Sequence, residues 1–162
     1  SRSRKLFTLS AIYSATKALL DGIEPDSLER RVDLAAKYWE VVADQFPEWH
    51  QVRAREVSAG EVRRDFIHSH GIVLQSLGKI GNSLLRSDCD PTKWQRVLKK
   101  LRTIDWHRSN ADVWEGRATI GGKVSKGAGN LLLTASYIRS VLGLPLPPDE
   151  QHAENGFARG EN

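Results

Sequence analysis

Residues 28–46 read LERRVDLAAKYWEVVADQF, and this stretch decides the class of fold. Its apolar residues recur three or four positions apart, which places them along one face of an α-helix. Pro47 stops the pattern, because proline cannot continue a helix from within. The stretch therefore predicts a long amphipathic helix and a helical core. The predicted buried stripe consists of Leu28, Val32, Ala35, Trp39, Val42 and Phe46.

Thr8 and Ser58 are the predicted caps of two helices on either side of this stretch. Ser58 and Glu61 match a capping box, in which each side chain satisfies the backbone N–H of the other residue. Thr8 is a favourable first cap for a helix with a regular apolar face. We expect that face to bury Leu9, Ile12, Tyr13, Thr16, Leu19 and Leu20.

Three glycines lie inside a helical pattern over residues 71–85. Glycine costs roughly 1 kcal/mol relative to alanine in a helix interior, so its repetition there favours a packing role. Without a Cβ atom, another backbone can approach closely. We therefore expect this helix to be central and tightly crossed at Gly71, Gly78 and Gly81.

The chain after residue 90 is expected to hold two helices separated by a small β-hairpin. One helix begins at Asp90-Pro91, and the other runs from Asn130 to Leu142 and ends at Gly143. Between them, Gly121-Gly122 can supply the positive φ angles that a two-residue hairpin turn needs. The sequence thus predicts a mainly α fold, a compact helical domain of about six helices with one small β-hairpin.

The two ends of the chain differ in charge. Residues 1–146 contain 23 basic and 16 acidic side chains, a net charge of +7, whereas residues 147–162 carry −3. We interpret residues 1–146 as a single helical domain, and the 40% apolar content of the chain suffices for a core. The acidic residues 147–162 are expected to form a disordered tail. The absence of any Met favours a processed chain or a portion of a longer protein.

Composition excludes several classes of protein and site. The single cysteine, Cys89, excludes an internal disulfide and a cysteine-rich zinc site. No apolar run approaches the ~20 residues of a membrane-spanning helix, and no signal-peptide core is present, so we expect a cytoplasmic protein without a membrane partner. His68 and His70 are two positions apart and make a poor shared metal site. We predict neither a metal nor a cofactor.

The strongest functional signal is a concentration of positive charge between Pro91 and Lys126. These 36 residues contain nine Lys and Arg against three acidic residues, a net charge of +6. Cations that neutralise DNA phosphates release counterions, which gives affinity that depends on salt and not on base sequence. A solvated helix face is the alternative interpretation. The predicted phosphate contacts are Lys93, Arg96, Lys99, Lys100, Lys123 and Lys126.

A polar loop within this segment, residues 104–117, offers candidates for more specific DNA contact. They are Arg108, Asn110 and Arg117, because Arg and Asn can bond base edges through two hydrogen bonds. The alternative is structural: the tryptophans of the loop would anchor it in the core, and its acids would pair with neighbouring arginines.

A succession of short strings carries a likeness to a known family. They are residues 4–13 (RKLFTLSAIY), Trp39 with residues 47–49 (PEW), residues 70–71 (HG) with 74–78 (LQSLG), residues 104–110 (IDWHRSN) with 114–117 (WEGR), and residues 130–134 (NLLLT) through 142–144 (LGL). In this order they resemble the C-terminal portion of the DndB family of DNA sulfur-modification proteins, the DGQHR-domain family. The likeness spans nearly all of residues 4–150, and its specificity lies in the succession of strings.

The resemblance implies a bacterial protein of the DNA phosphorothioation system, in which sulfur replaces a non-bridging phosphate oxygen. It also implies a regulator that binds the promoter of the modification operon and restrains its expression, and not the sulfur-transfer enzyme. The DGQHR motif itself is absent from this sequence. The resemblance implies that it belongs to an N-terminal portion. Asp105, Trp106 and Trp114 are then expected to hold the shape of the loop.

We therefore expect a DNA-binding regulatory protein and no enzyme, with DNA as its partner. The second hypothesis is a helical interaction module that docks on the N-terminal half of the same protein or on another modification protein. The glycine-bearing helix and several tryptophans would line its interface, because aromatic residues and arginine are enriched at interfaces. The third is an enzyme that acts on DNA through Asp105, His107 and Asn110, which would require metal-dependent cleavage.

Overall fold

The computed structural model describes residues 4–24 and 27–161, and within these ranges the chain forms nine α-helices, two 3-10 helices and one two-stranded sheet. The helices are α1 (Leu9–Leu19), α2 (Leu28–Ala43), α3 (Pro47–Arg53), α4 (Ala59–Asp65), α5 (Gly71–Ser87), α6 (Pro91–Leu98), α7 (Ala111–Trp114), α8 (Ala128–Leu142) and α9 (Pro148–Ala158). The 3-10 helices cover Ile67–Ser69 and Lys99–Thr103, and the strands are β1 (Thr119–Ile120) and β2 (Lys123–Val124). The mainly α prediction is confirmed, with three helices more than expected, α3, α7 and α9.

Helix α5 packs against both α1 and α8 and so occupies the centre of the fold. A Cβ atom added at Gly78 would lie 2.3 Å from the backbone oxygen of Ala15 in α1. One added at Gly81 would lie 2.3 Å from the ring of Tyr38 in α2. The expected close approach of another backbone is confirmed at Gly78, whereas side chains fill the space at Gly81 and an added Cβ at Gly71 would make only an ordinary contact, 3.6 Å from Ala11 Cβ. Tyr38 is fully buried there, and its hydroxyl donates to the carbonyl of Leu77.

The predicted helix ends and hairpin are present. Thr8 Oγ1 accepts a hydrogen bond from Ala11 N at 3.1 Å, and Ser58 and Glu61 form the capping box. Gly143 ends α8 in the left-handed region, with φ of 74°. The two strands are antiparallel, and φ angles of 59° and 75° at Gly121-Gly122 make the turn between them. Local sequence signals therefore place these elements correctly.

The tryptophans of the 104–117 loop are core anchors. Trp114 is fully buried and stacks on Trp106 at a ring-centroid distance of 5.4 Å. Each indole N–H donates to a backbone carbonyl, Trp114 to Asp105 at 3.0 Å and Trp106 to Leu101 at 2.9 Å. Buried aromatic rings with satisfied N–H groups contribute roughly 1.5–3 kcal/mol each, so the loop is held rigidly on the core.

The predicted apolar face of α1 is wrong over its first two turns. Leu9 is 82% exposed and Tyr13 is 67% exposed, and Ile12 beside them is also exposed. The buried residues are Ala15 and Leu19. The reason is the close crossing on α5: a helix that approaches a glycine must present its smallest residues, so the larger apolar residues turn outward.

The predicted stripe of α2 is correct from Ala35 onward, with Trp39 half-buried. Leu28 and Val32 are exposed, whereas Val42 and Phe46 are buried. Tyr38 of α2 meets Trp94 of α6, and Gln45 meets Arg102, so the two segments run in parallel. Helix α6 begins at Pro91, too late in that alignment to cover the first two turns of α2.

The prediction of a disordered tail over residues 147–162 is wrong, because residues 148–158 form helix α9. Its Glu150 is fully buried and pairs with Arg139, and its Glu154 pairs with Arg117. Acidic composition predicts solvation only when the acids lack partners. Here arginines from earlier in the chain supply them, and α9 packs against α8.

Candidate functional site

The cations of α6 and the following 3-10 helix form the first predicted group, which we call the α6 basic cluster: Lys93, Arg96, Lys99 and Lys100. Arg96 and Lys99 are exposed and make no ion pair or hydrogen bond with the residues that the structure describes. Lys93 pairs with Asp88, and this hydrogen bond lowers the pKa of that carboxyl. Lys100 Nζ donates to the carbonyl of Leu142 at 3.3 Å. Two of the four cations, Arg96 and Lys99, thus have no polar partner within the described ranges.

Arg108, Lys123 and Lys126 form the second group, the hairpin basic cluster. Arg108 Nη2 donates to the carbonyl of Gly122 at 3.2 Å. Lys123 and Lys126 are exposed, and within the described ranges neither has a hydrogen-bond or ion-pair partner. Glu115 fixes the hairpin turn by accepting hydrogen bonds from the N–H groups of Gly121 and Gly122, which lower its pKa.

The two clusters lie at opposite ends of α8. Lys100 contacts Leu142, the last residue of the helix, and Lys126 precedes its first residue by two positions. Fifteen helical residues span about 22 Å. The nine predicted residues therefore do not form one patch, and the fold divides the exposed cations into two.

The side chains of Arg117 and Asn110 both form intramolecular hydrogen bonds. Arg117 forms two hydrogen bonds with Glu154, donates to the carbonyl of Leu133 at 2.9 Å and lies 4.4 Å from the ring centroid of Phe157. Burial alone would raise the pKa of Glu154, but hydrogen bonds from Arg117 and Ser136 outweigh it and lower that pKa. The Arg117 side chain is only 14% exposed, so α9 covers the group that the sequence suggested for base contact.

Asp105 organises the polar loop. Its carboxylate accepts from the backbone N–H of His107 at 3.0 Å, lies 2.8 Å from His107 Nδ1 and accepts from Asn110 Nδ2 at 3.1 Å. These hydrogen bonds lower the pKa of Asp105. No group of three His, Cys, Asp or Glu side chains in the described part of the chain is arranged to hold a metal ion. The arrangement accounts for the shape of the loop.

His68 and His70 have separate surroundings. His68 is 1% exposed among the rings of Phe46, Phe66, Trp49 and Trp106. Its Nδ1 accepts from Trp49 Nε1 at 3.1 Å, and its Nε2 lies 3.3 Å from Glu48 without the alignment of a hydrogen bond. Burial lowers the pKa of His68 to about 3, so the ring is neutral.

The structure also forms a cleft of about 660 Å³ that sequence reasoning missed. It lies where the segment before α1, the start of α5 and the β2–α8 connection meet. The strings at residues 4–13 and 70–78, which carry the family likeness, supply much of its wall. The lining residues are Leu6, Phe7, Thr8, Ser10, Ala11, Ser14, Arg63, Ser69, His70, Gly71, Ile72, Gln75, Val124, Ser125, Lys126, Gly127, Ala128 and Leu131.

The cleft is basic at the side where α5 and α8 begin. Arg63 Nε donates to the carbonyl of Leu6 at 2.9 Å, and its Nη2 donates to Lys5. His70 Nε2 lies 2.8 Å from the carbonyl of Arg63. Burial lowers the pKa of His70, and the charges of Arg108 and Arg63 lower it further. None of the described lining residues is acidic, so the cleft favours an anion.

No helix in the described ranges is both long enough and apolar enough to cross a membrane.

Comparison with known proteins gives one match. A family model described as "DndB: DNA-sulfur modification-associated" matches residues 1–145. The matched range contains both basic clusters and every residue that lines the cleft, and it ends before α9. No curated protein and no solved structure matches the chain.

Proposed function

The chain belongs to the DndB family of DNA-sulfur modification-associated proteins, and from this membership we propose that it is a DNA-binding regulator of the bacterial phosphorothioation system. In this proposal it binds the promoter of the modification operon in the cytoplasm and restrains transcription. It has no catalytic role. Other proteins of the modification system are its further partners.

Unneutralised exposed charge is the observation that carries the proposal. Arg96, Lys99, Lys123 and Lys126 project from the surface without acidic partners among the described residues. An exposed cation with no partner retains its full charge for a phosphate. Lys100 and Arg108 touch only backbone carbonyls, so their charges are also available.

The number of contacts fixes the expected salt dependence. Each neutralised phosphate contributes about −0.9 to the slope of log affinity against log salt. If all six of these cations contact phosphates, the slope is about −5, and affinity falls about 10³-fold between 50 and 200 mM salt. The measurement is fluorescence anisotropy with a duplex from the promoter of the modification operon and with an unrelated duplex. Tighter binding to the promoter duplex supports the regulatory role.

A double charge reversal separates specific contact from net charge. Arg96→Glu with Lys99→Glu removes two phosphate contacts, so the slope becomes shallower by about 2. The matched control is Lys17→Glu with Arg31→Glu, which changes the net charge equally on α1 and α2, where both residues are exposed. Equal weakening by the two double variants, or no binding of the wild type at about 50 mM salt, contradicts the proposal.

The outward apolar residues of α1 favour a second function, the interaction module. Leu9, Ile12 and Tyr13 lie on one side of the helix and are 82%, 44% and 67% exposed. Apolar and aromatic side chains in such a group are typical of a surface that another protein covers. Its partner would be the N-terminal half of the protein or another modification protein.

Co-purification tests the second function. Ile12→Asp with Tyr13→Asp should abolish recovery of a co-expressed modification protein and leave the salt slope of DNA binding unchanged. Lys17→Asp on the same helix is the control. If the wild type retains neither a modification protein nor the co-expressed N-terminal half, the interaction module is excluded and the DNA-binding proposal is untouched.

A further inference from the structure

We propose that the cleft between α1, α5 and the β2–α8 connection binds a phosphate-bearing nucleotide, with its phosphate on the basic side beside Arg63 and Lys126. The nucleotide is either free or the terminal unit of a DNA strand, because both present the same phosphate, sugar and base. This site is separate from phosphate contact by the α6 basic cluster.

The dimensions of the cleft suit a small ligand. Its volume of about 660 Å³ lies within the ~300–1,000 Å³ that is usual for small-molecule sites. Four separate segments of the chain converge on it, so its walls come from the packed scaffold and not from one loop. A single phosphate ion would leave most of this space empty.

Two cations give the cleft its preference for an anion. The backbone carbonyls of Lys5 and Leu6 orient the Arg63 guanidinium but do not neutralise it. Lys126 is exposed and makes no ion pair with the described residues. Arginine can bond two phosphate oxygens at once, and lysine adds a mobile charge.

Backbone amides reinforce this side of the cleft. Helices α5 and α8 both begin here, and neither His70 nor Gly127 caps its helix with a side chain. The first N–H groups of a helix lack partners within it, so those of Gly71 and Ala128 are available to phosphate oxygens. The cavity and the two cations define the site, and these amides add hydrogen bonds to it.

The apolar part of the lining suits a sugar and a base. Leu6, Phe7, Val124 and Leu131 provide an apolar surface, on which an aromatic base can pack. The amide of Gln75 makes no hydrogen bond with the described residues, and an amide can bond a base edge as both donor and acceptor. This combination of cations with apolar lining favours a nucleotide over an inorganic anion.

Isothermal titration calorimetry with three probes tests the assignment. Deoxyadenosine monophosphate should bind at least tenfold more tightly than deoxyadenosine or inorganic phosphate, because only it can contact both the cations and the apolar lining of the cleft. Equal affinity for inorganic phosphate, or no saturable binding of the nucleotide at millimolar concentration, overturns the proposal.

Ala128→Asp places a carboxylate on the basic side. It should weaken nucleotide binding at least tenfold without unfolding the protein, because an acidic residue in the first turn of a helix is favourable. Thr92→Asp makes the same charge change in the first turn of α6 and should bind as the wild type does. Equal affinity in the two variants contradicts the assignment of the site.

A phosphorylated single-stranded trinucleotide distinguishes the two sources of the ligand. Tighter binding than the mononucleotide identifies a DNA end, and weaker binding identifies a free nucleotide. Arg96→Glu with Lys99→Glu should leave affinity for the mononucleotide unchanged. A variant that loses duplex binding but still binds the mononucleotide therefore bears only on the proposed DNA contacts. Absence of mononucleotide binding by the wild type contradicts the cleft assignment.

Discussion

Arg139 and Glu150 form an ion pair that the fold buries almost completely. Arg139 Nε lies 2.9 and 3.0 Å from the two carboxylate oxygens of Glu150, and the side chains are 3% and 0% exposed. Arg139 also donates to Ser83 Oγ at 3.0 Å, and Lys79 Nζ lies 3.4 Å from Glu150. The pair thus joins α9 to α8 and to α5.

Glu150→Gln should lower the free energy of unfolding by about 3–5 kcal/mol, because it leaves the buried charge of Arg139 uncompensated. Urea denaturation followed by circular dichroism measures the change. Glu161→Gln is the control, since its pair with Arg159 is exposed to solvent and its loss should change stability little. Similar small losses in both variants would show that α9 is not held by this pair.

Gly78→Ala should destabilise the protein by about 1–3 kcal/mol or more, because its methyl group would collide with the backbone of Ala15 and force α1 away from α5. Gly129→Ala is the matched substitution in α8, where no atom lies within 4 Å of the added Cβ. It should be neutral or stabilise by up to about 1 kcal/mol. Thermal denaturation compares the two, and an equal effect would contradict the close crossing.

Stability should fall as the pH is lowered from 7 to 5. The pKa of His68 is about 3 in the folded protein, below its ordinary value of about 6.5, so the unfolded chain binds the extra proton throughout this interval. His68 should account for about 2 kcal/mol of the loss, and His70, whose pKa is also lowered, adds to it in the same direction.

His68→Gln isolates this contribution, because Gln can still accept the hydrogen bond from Trp49 but does not titrate. The difference in unfolding free energy between pH 7 and 5 should shrink by about 2 kcal/mol in the variant. An unchanged difference would mean that His68 is not held neutral in the folded state.

Arg117→Ala should reduce stability by about 1–3 kcal/mol, since it removes the partner of Glu154, and it should leave the salt slope of DNA binding unchanged. Lys126→Ala should instead leave the free energy of unfolding within about 0.5 kcal/mol of the wild-type value and make the salt slope of DNA binding shallower by about 0.9. Anisotropy and urea denaturation of both variants provide the comparison. A shallower slope for Arg117→Ala alone would restore Arg117 as a DNA contact.

Local signals predicted much of the fold. Thr8 and Ser58 begin helices and Gly143 ends one through atoms within a few residues, and the positive φ angles of the hairpin turn follow from Gly121-Gly122. The close crossing at Gly78 was also predictable, because glycines inside a helical pattern indicate a near neighbour. Which neighbour crosses there is a tertiary property, and this is why the apolar faces of α1 were wrongly assigned.

The candidate site was less predictable, because its parts are distant in sequence. Arg117 resembled a DNA contact only while its partner Glu154, 37 residues later, was taken as solvated. The cleft brings Leu6, Arg63, His70 and Lys126 together, and no spacing along the chain indicates that they meet. Charge counting located the basic segment but could not show that α8 divides it.

The position of the two basic clusters at opposite ends of α8 sets a minimum length for a duplex that contacts both. The two basic clusters lie near opposite ends of a helix about 22 Å long, and B-form DNA rises about 3.4 Å per base pair. A duplex that engages both clusters together must therefore extend over at least roughly six or seven base pairs. Under the proposed DNA-binding function, shorter duplexes would occupy one cluster at a time, and the length of α8 would set the minimal binding footprint.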